Sequence, residues 1–237
     1  MNLLLLEPGE LVVRGRRAEH LRTVLGATPG STVRAGVIGG RVGTAEILAD
    51  DGAAIELRLT LTDAPPPPLP VQLMLAVPRP KVLTRVVEAV AAFGIARLDL
   101  TNAWRVDKSY LKSPRLATGA LAEAARLGAE QGATTHLPPI AVHARLMALF
   151  GDMPPAATRL VAHPGAPLIE TATLAAPVTL AIGPEGGWIA REVETFVERG
   201  FQPVSLGTGI LRVETAVAAA LGQLALLLRA TAPRSPR

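Results

Sequence analysis

The apolar positions change period near residue 70. Before it, "LVVRG", "STVRAGVIGGRVGTAEILAD" and "AAIELRLTLTD" place Val, Ile, Leu and Thr at alternating positions, punctuated by Gly-Gly and Asp-Asp-Gly. A period of two between turn residues predicts short β-strands. "AEHLRTVLG" predicts one short helix ahead of most of them. Residues 1–63 therefore read as a compact, mainly β module of a size for a small barrel. "DAPPPPLP" (63–70) ends it. Consecutive prolines favour an extended polyproline chain and cannot continue a helix or a central strand, so 64–70 is expected to be a linker.

From residue 71 strands and helices alternate. "VQLMLAV" (71–77), "IARLDL", "TRLVAH", "VTLAIG" and "FQPVSLG" read as strands. Between them, "PKVLTRVVEAVAAFG", "LAEAARLGAEQGA" and "AREVETFVERG" read as helices. In the first helix Val82, Val86, Val90 and Phe93 recur at helical spacing, with Pro80 at its start and Gly94 as its stop. The alternation predicts an α/β domain around a parallel sheet, residues 71–231. The last helix, "VETAVAAALGQLALLLRA", is apolar almost all round, which predicts burial. Its central run, "AVAAALGQLALLLRA", reads as too short to span a bilayer and carries Gln223. Residues 232–237 are expected to be a disordered tail.

Composition narrows the chemistry. Hydrophobic residues are 49% of the 237 but aromatics only 3%, so the core must come from Ala, Val and Leu. There is no cysteine, which excludes disulfides, thiolate metal sites and a cysteine nucleophile and fits a cytoplasmic protein. "MNLLLLEPGE" has an apolar run of four with no basic residue before it, so no signal peptide is expected. His20, His136, His143 and His163 show no metal-ligand spacing, and no metal is expected. Neither a phosphate loop, a dinucleotide fingerprint nor a nucleophile elbow is present. Net charge is +4, unevenly spread: residues 1–63 hold 7 basic and 8 acidic side chains, whereas 79–115 hold 8 basic and 3 acidic. That second segment is either a patch for phosphate or a solvated basic face.

In a parallel sheet, ligands bind on the loops at the carboxyl ends of strands. "AHPGAP" (162–167), "IGPEGGW" (182–188) and "SLGTGILR" (205–212) each follow an apolar strand. Glycines there let a backbone approach a ligand closely; Pro184 stiffens the second loop and Glu185 supplies one charge. The competing reading is three ordinary turns punctuated by Gly and Pro.

"IGPEGGW", with "SLGTGILRVETA" 23 residues later, resembles the 16S ribosomal RNA uridine-N3 methyltransferases of the SPOUT superfamily. The resemblance extends to "NAWRVDKSY" (102–110), "AEQGATTHLP" (129–138) and His163–Pro164, and "EHLRTVLGATPGSTV" resembles that family's PUA-like RNA-binding barrel. It implies a SPOUT-type domain with a deep trefoil knot, a feature that general connectivity rules make nearly absent. It implies S-adenosylmethionine bound by His163, Pro164, Gly165, Ile182, Gly183, Pro184, Glu185, Gly186, Leu206, Gly207, Ile210 and Leu211. It implies a homodimer that methylates N3 of a uridine in 16S rRNA, at the position the family numbers 1498. Arg212 matches a motif arginine and is a candidate to stabilise the uridine anion, with Arg105 the next; the alternatives are surface pairs with Glu214 and Asp107. Arg16, Arg17, Arg22, Arg79, Lys81, Arg105 and Lys108 are candidate RNA contacts. Glu130 and Gln131 match a family pair or form a solvated helix face. Two departures stand out: Gly209 where relatives carry an arginine, and Thr134 and Thr135 where they often carry one. The alternative function is a non-catalytic RNA-binding or ribosome-assembly protein of the same fold.

Overall fold

The structure is a computed structural model and describes residues 2–231; the expected tail at 232–237 lies outside the described residues. The first part of the chain forms β1 (Leu4–Leu6), β2 (Val12–Arg14), α1 (Gly15–Thr23), β3 (Thr32–Val37), β4 (Val42–Asp50) and β5 (Ala54–Asp63). These strands make one mixed sheet in the order β1-β3-β4-β5-β2. Only β1–β3 is a parallel pair. In β5, Ile55 and Leu57 turn into the core while Glu56 and Arg58 turn out, as the period of two requires. α1 adds Ala18 and Leu21 to that core.

Sequence reading assigned no strand to "LLLL" (3–6). The structure explains its unbroken apolarity. Leu4 and Leu6 enter the core of the first sheet, while Leu3 and Leu5 pack on Ala129 of the second part of the chain. A strand covered on both faces loses its alternation.

The second part forms β6 (Leu69–Ala76), α2 (Pro80–Ala92), β7 (Ile95–Thr101), α3 (Thr118–Gly132), β8 (Ile140–His143), α4 (Leu146–Gly151), β9 (Thr158–Ala162), β10 (Val178–Ile182), α5 (Ala190–Glu198), β11 (Gln202–Val204) and α6 (Val213–Thr231). All pairings are parallel, in the order β11-β9-β10-β6-β7-β8. β8 and α4 went unread because four and six residues are too few to show a period. β6 begins at Leu69, inside the segment expected as linker, and its register shifts between Leu69 and Gln72 around Pro70, which has no N–H for the ladder.

α2 and α3 meet through glycine. A Cβ on Gly128 would overlap the backbone of Glu88, and one on Gly132 that of Ala92. Beneath the helices a polar chain crosses four strands. Thr179 Oγ1 donates to Gln72 Oε1 (3.0 Å), and Gln72 Nε2 donates to Asp99 Oδ2 (2.8 Å). Arg97 donates to both Asp99 oxygens (2.7 and 2.8 Å), and His143 Nε2 lies 2.8 Å from Oδ1. Burial pushes the Asp99 carboxyl up, but the bonds from Arg97, Gln72 and His143 outweigh it and hold the group below its ordinary value.

The two parts of the chain interlock at α3. Glu130 is 1% exposed and bonds Arg16 Nη2 at 3.0 Å, while its carbonyl accepts from the N–H groups of Asn2 and Leu3. A solvated face therefore does not describe Glu130; Gln131 beside it is exposed. Thr135 donates to Gly40 O at 2.9 Å, and its carbonyl accepts from Gly39 N at 2.8 Å.

α6 is 19 residues long, which corrects the expectation that its apolar run is too short for a bilayer: by length and composition alone it suffices. One face, with Val213, Val217, Ala220, Leu221 and Leu224, is packed in the main core. Burial is nevertheless one-sided, since Ala218, Gly222 and Leu226 are exposed.

Candidate active-site cleft

A cleft of ≈ 780 Å³ opens at the carboxyl ends of β9, β10 and β11. Three loops and the start of α6 line it, together with Arg79 from the β6–α2 connection, Val82 from α2 and Arg105 from the β7–α3 connection. His163 and Pro164 come from the first loop, Ile182, Gly183, Pro184, Glu185 and Gly186 from the second, and Leu206, Ile210, Leu211 and Arg212 from the third. Gly165 and Gly207 are not on the wall. Gly165 takes φ +83, a turn conformation suited to glycine. Trp188 and Ser205, which belong to the loop motifs but were assigned no site role, and Glu214, considered only as a partner of Arg212, also line the cleft.

The first and third loops run side by side. Val204 O accepts from His163 N (2.9 Å), Pro167 O from Ser205 N (2.7 Å), and Ser205 O from Ile169 N (2.9 Å). Gln223 of α6 reaches down to Leu206 O at 3.0 Å. Beyond this anchorage the backbone of Gly209, Ile210 and Leu211 makes no hydrogen bond among the described residues. Its donors and acceptors remain free at the cleft wall.

The second loop is a tight turn closed by Gly187 N on Pro184 O (2.8 Å). Its glycines answer to close neighbours: a Cβ on Gly183 would stand 3.1 Å from Trp188 N, and one on Gly186 3.0 Å from Arg105 Cδ. Glu185 Oε1 accepts the N–H of Arg79, the N-cap residue just before α2, at 2.9 Å. An anion is favoured at that helix end. The carboxylate thus ties the loop to α2.

Arg105 donates through Nη1 to Gly186 O at 2.5 Å and makes no ion pair with Asp107, whose carboxylate caps Ser109 N instead. Arg212 is exposed on the cleft wall and makes no ion pair with Glu214 or any other described residue. Glu192, unnoticed in the sequence, braces the same region by accepting Trp104 N at 2.8 Å and Ile189 N at 3.0 Å. Trp188 is 4% exposed, stacks edge-on against Phe196, and has a buried Nε1 without a partner.

The expected RNA contacts divide. Arg79, Lys81, Arg105 and Lys108 are exposed and carry no ion pair among the described residues. Arg16, Arg17 and Arg22 are held by Glu130, Glu10 and Asp50 at 3.0, 2.5 and 2.6 Å. The Arg22 guanidinium lowers the Asp50 carboxyl to about 2. A guanidinium already neutralised in this way adds less to a phosphate-binding field. Among the described residues no three His, Asp or Glu side chains are grouped to hold a metal.

Known proteins place this arrangement. The ribosomal RNA small subunit methyltransferase E of Treponema pallidum is 29% identical over 236 residues, 93% of this chain and 89% of that protein. The Borreliella burgdorferi methyltransferase E 1 is 25% identical over 228 residues, covering 93% and 95%. A Neisseria gonorrhoeae methyltransferase E, solved bound to S-adenosyl methionine, superposes with TM-score 0.79 at 24% identity over 96% of this chain and 98% of that one. A probable rRNA methyltransferase from Porphyromonas gingivalis superposes at 0.80, with 22% identity and coverage of 98% and 100%. Residues 65–225 match the RNA methyltransferase domain, from the start of the parallel sheet into α6 and across all three cleft loops. The chain belongs to that RNA methyltransferase family.

Proposed function

We propose that this protein is an S-adenosylmethionine-dependent methyltransferase acting on N3 of a uridine in the 16S rRNA of the small ribosomal subunit. One observation carries the reading. The cleft joins the unengaged backbone of Gly209–Leu211 to an arginine, Arg212, that no carboxylate neutralises. Free backbone donors and acceptors suit an adenine edge. His163, Pro164, Ile182–Gly186, Leu206, Ile210 and Leu211 would hold the cofactor, which supplies a methyl group activated on a sulfonium.

The remaining chemistry falls to the chain. In-line displacement depends on positioning, which can account for several kcal/mol of a barrier. Uridine N3 loses its proton before or during attack, and the anion spreads onto the neighbouring ring oxygens. The Arg212 guanidinium stabilises that charge from the cleft wall. Arg105 holds the Gly186 carbonyl, and through it the loop that shapes the cofactor site. Arg79, Lys81 and Lys108 attract the RNA backbone.

The proposal includes a PUA-like role for the first sheet, a trefoil knot where the third loop runs beside the first, a cytoplasmic setting and a homodimer. The exposed strip of Ala218, Gly222 and Leu226 on α6 supports the dimer; light scattering on a gel-filtered sample tests it, and a stable monomer at micromolar concentration counts against a site completed by a second copy. Gly209, in place of the motif arginine, favours a second reading: a non-catalytic RNA-binding protein. Labelled S-adenosylmethionine, incubated with small subunits from cells lacking the activity, separates the two. Label in 3-methyluridine establishes the reaction. Cofactor binding by calorimetry without transfer favours the non-catalytic reading or a different RNA target.

A further inference from the structure

The chain has only seven aromatic residues, and they are sharply divided. Phe150, Trp188, Phe196 and Phe201 stack edge-to-face in one packed cluster. Trp104 is 79% exposed, and its indole makes no ring contact and no hydrogen bond among the described residues. Leaving so large an apolar ring in water forgoes the stabilisation of burial, so packing of the fold does not account for it.

Its backbone, by contrast, is firmly held. Trp104 N donates to Glu192, its neighbour Arg105 donates to Gly186 O, and Ala103 and Val106 on either side are each 7% exposed. The side chain is thus presented on a fixed support beside the cleft that Arg105 lines. The two carboxylates near it, Asp107 and Glu192, are taken up by backbone N–H groups, whereas the cations that follow it in the chain are not engaged by any carboxylate. Arg105, Lys108 and Lys112 are exposed cations with no ion pair among the described residues. A rigid aromatic among unpaired cations complements a polyanion that carries flat rings, which is single-stranded nucleic acid.

We infer that Trp104 is a stacking platform for an unpaired RNA base next to the acceptor nucleotide, setting where the strand enters the cleft. The inference rests on the RNA-methylating reading above but concerns binding, which is measured separately. Wild type, Trp104→Ala and Trp104→Phe are compared in three assays: affinity for a uridine-containing single-stranded RNA, calorimetric affinity for S-adenosylmethionine, and kcat and KM on small subunits. Tryptophan fluorescence reads the stack directly, because Trp188 is buried and remains in all three proteins. Trp104→Ala is expected to lose roughly five- to a hundredfold in RNA affinity and to raise KM with little change in kcat. Trp104→Phe should recover most of that loss, and cofactor affinity should not move. RNA should quench the wild-type emission and leave that of Trp104→Phe unchanged. Equal RNA affinity in wild type and Trp104→Ala overturns the inference, as does equal loss in the Ala and Phe variants. A fall in molar mass to the monomer in Trp104→Ala also overturns it and assigns the surface to a second copy. If wild-type protein binds RNA through Trp104 but transfers no methyl group, the platform stands and the catalytic reading fails. If it transfers without that quenching, the reverse holds.

Discussion

The Glu185 carboxylate accepts the backbone N–H of Arg79 at 2.9 Å, joining positions 106 residues apart in the chain. The single charge in "IGPEGGW" is thereby an anchor between a cleft loop and the start of α2. Removing it in Glu185→Ala frees both the loop and an N–H at the helix end. A hydrogen bond to a charged group is worth about 1.5 kcal/mol at an exposed site, or about tenfold in a binding constant. Calorimetry should show cofactor affinity falling by about that factor, with Glu185→Gln in between because its amide oxygen still accepts. Unchanged affinity in both variants sinks the anchoring role.

Gly209 occupies open space: a Cβ there meets nothing within 4 Å, and its φ is not left-handed. Gly209→Arg should therefore fold normally and place a second guanidinium in the third loop. Methyl transfer to small subunits is expected to hold or rise. Abolished transfer at an unchanged melting temperature means that this site is built differently from those of its relatives.

Gly128 has no such room, since a Cβ overlaps the Glu88 backbone. Gly128→Ala gains about 1 kcal/mol of helix propensity but forces α2 and α3 apart, an overpacking cost of about 3 kcal/mol. The net loss of about 2 kcal/mol should lower the melting temperature by roughly 4–8 °C. A rise in melting temperature on calorimetric scanning contradicts the close helix contact.

Asp99 makes stability depend on acid. Its folded carboxyl titrates below the ordinary value of 3.8. The stabilisation it brings is therefore complete above that pH and is lost as pH falls through the folded value. Asp99→Asn leaves Arg97 and His143 facing a neutral amide and should cost about 3 kcal/mol at neutral pH. Its melting temperature should also vary less than that of wild type below pH 4. Parallel pH profiles for the two proteins would falsify this assignment.

Much of the α/β half is visible in periodicity. α2 is bounded by Pro80 and Gly94 as expected, and Gly94 takes φ +62. The strands ending at Ala76, Ala162 and Ile182 are short apolar runs whose loops do converge on one cleft. β1 was illegible because its alternation is erased by burial on both faces, and β8 and α4 because they are shorter than a period needs. Glu192 carried no motif of its own; its role arises from Trp104, which only folding brings near.

The sequence by itself determined the change from a β module to an alternating α/β domain, the three glycine-bearing loops and the basic stretch at 79–115, because local propensity and side-chain period act over a few residues. Only the tertiary structure decided that Glu185 serves α2, that Arg16, Arg17 and Arg22 spend their charge on Glu130, Glu10 and Asp50, and that Arg212 keeps its own. Those outcomes depend on which groups meet across long stretches of chain, since hydrogen bonds form only at contact distance and exposed charges are screened beyond about 10 Å.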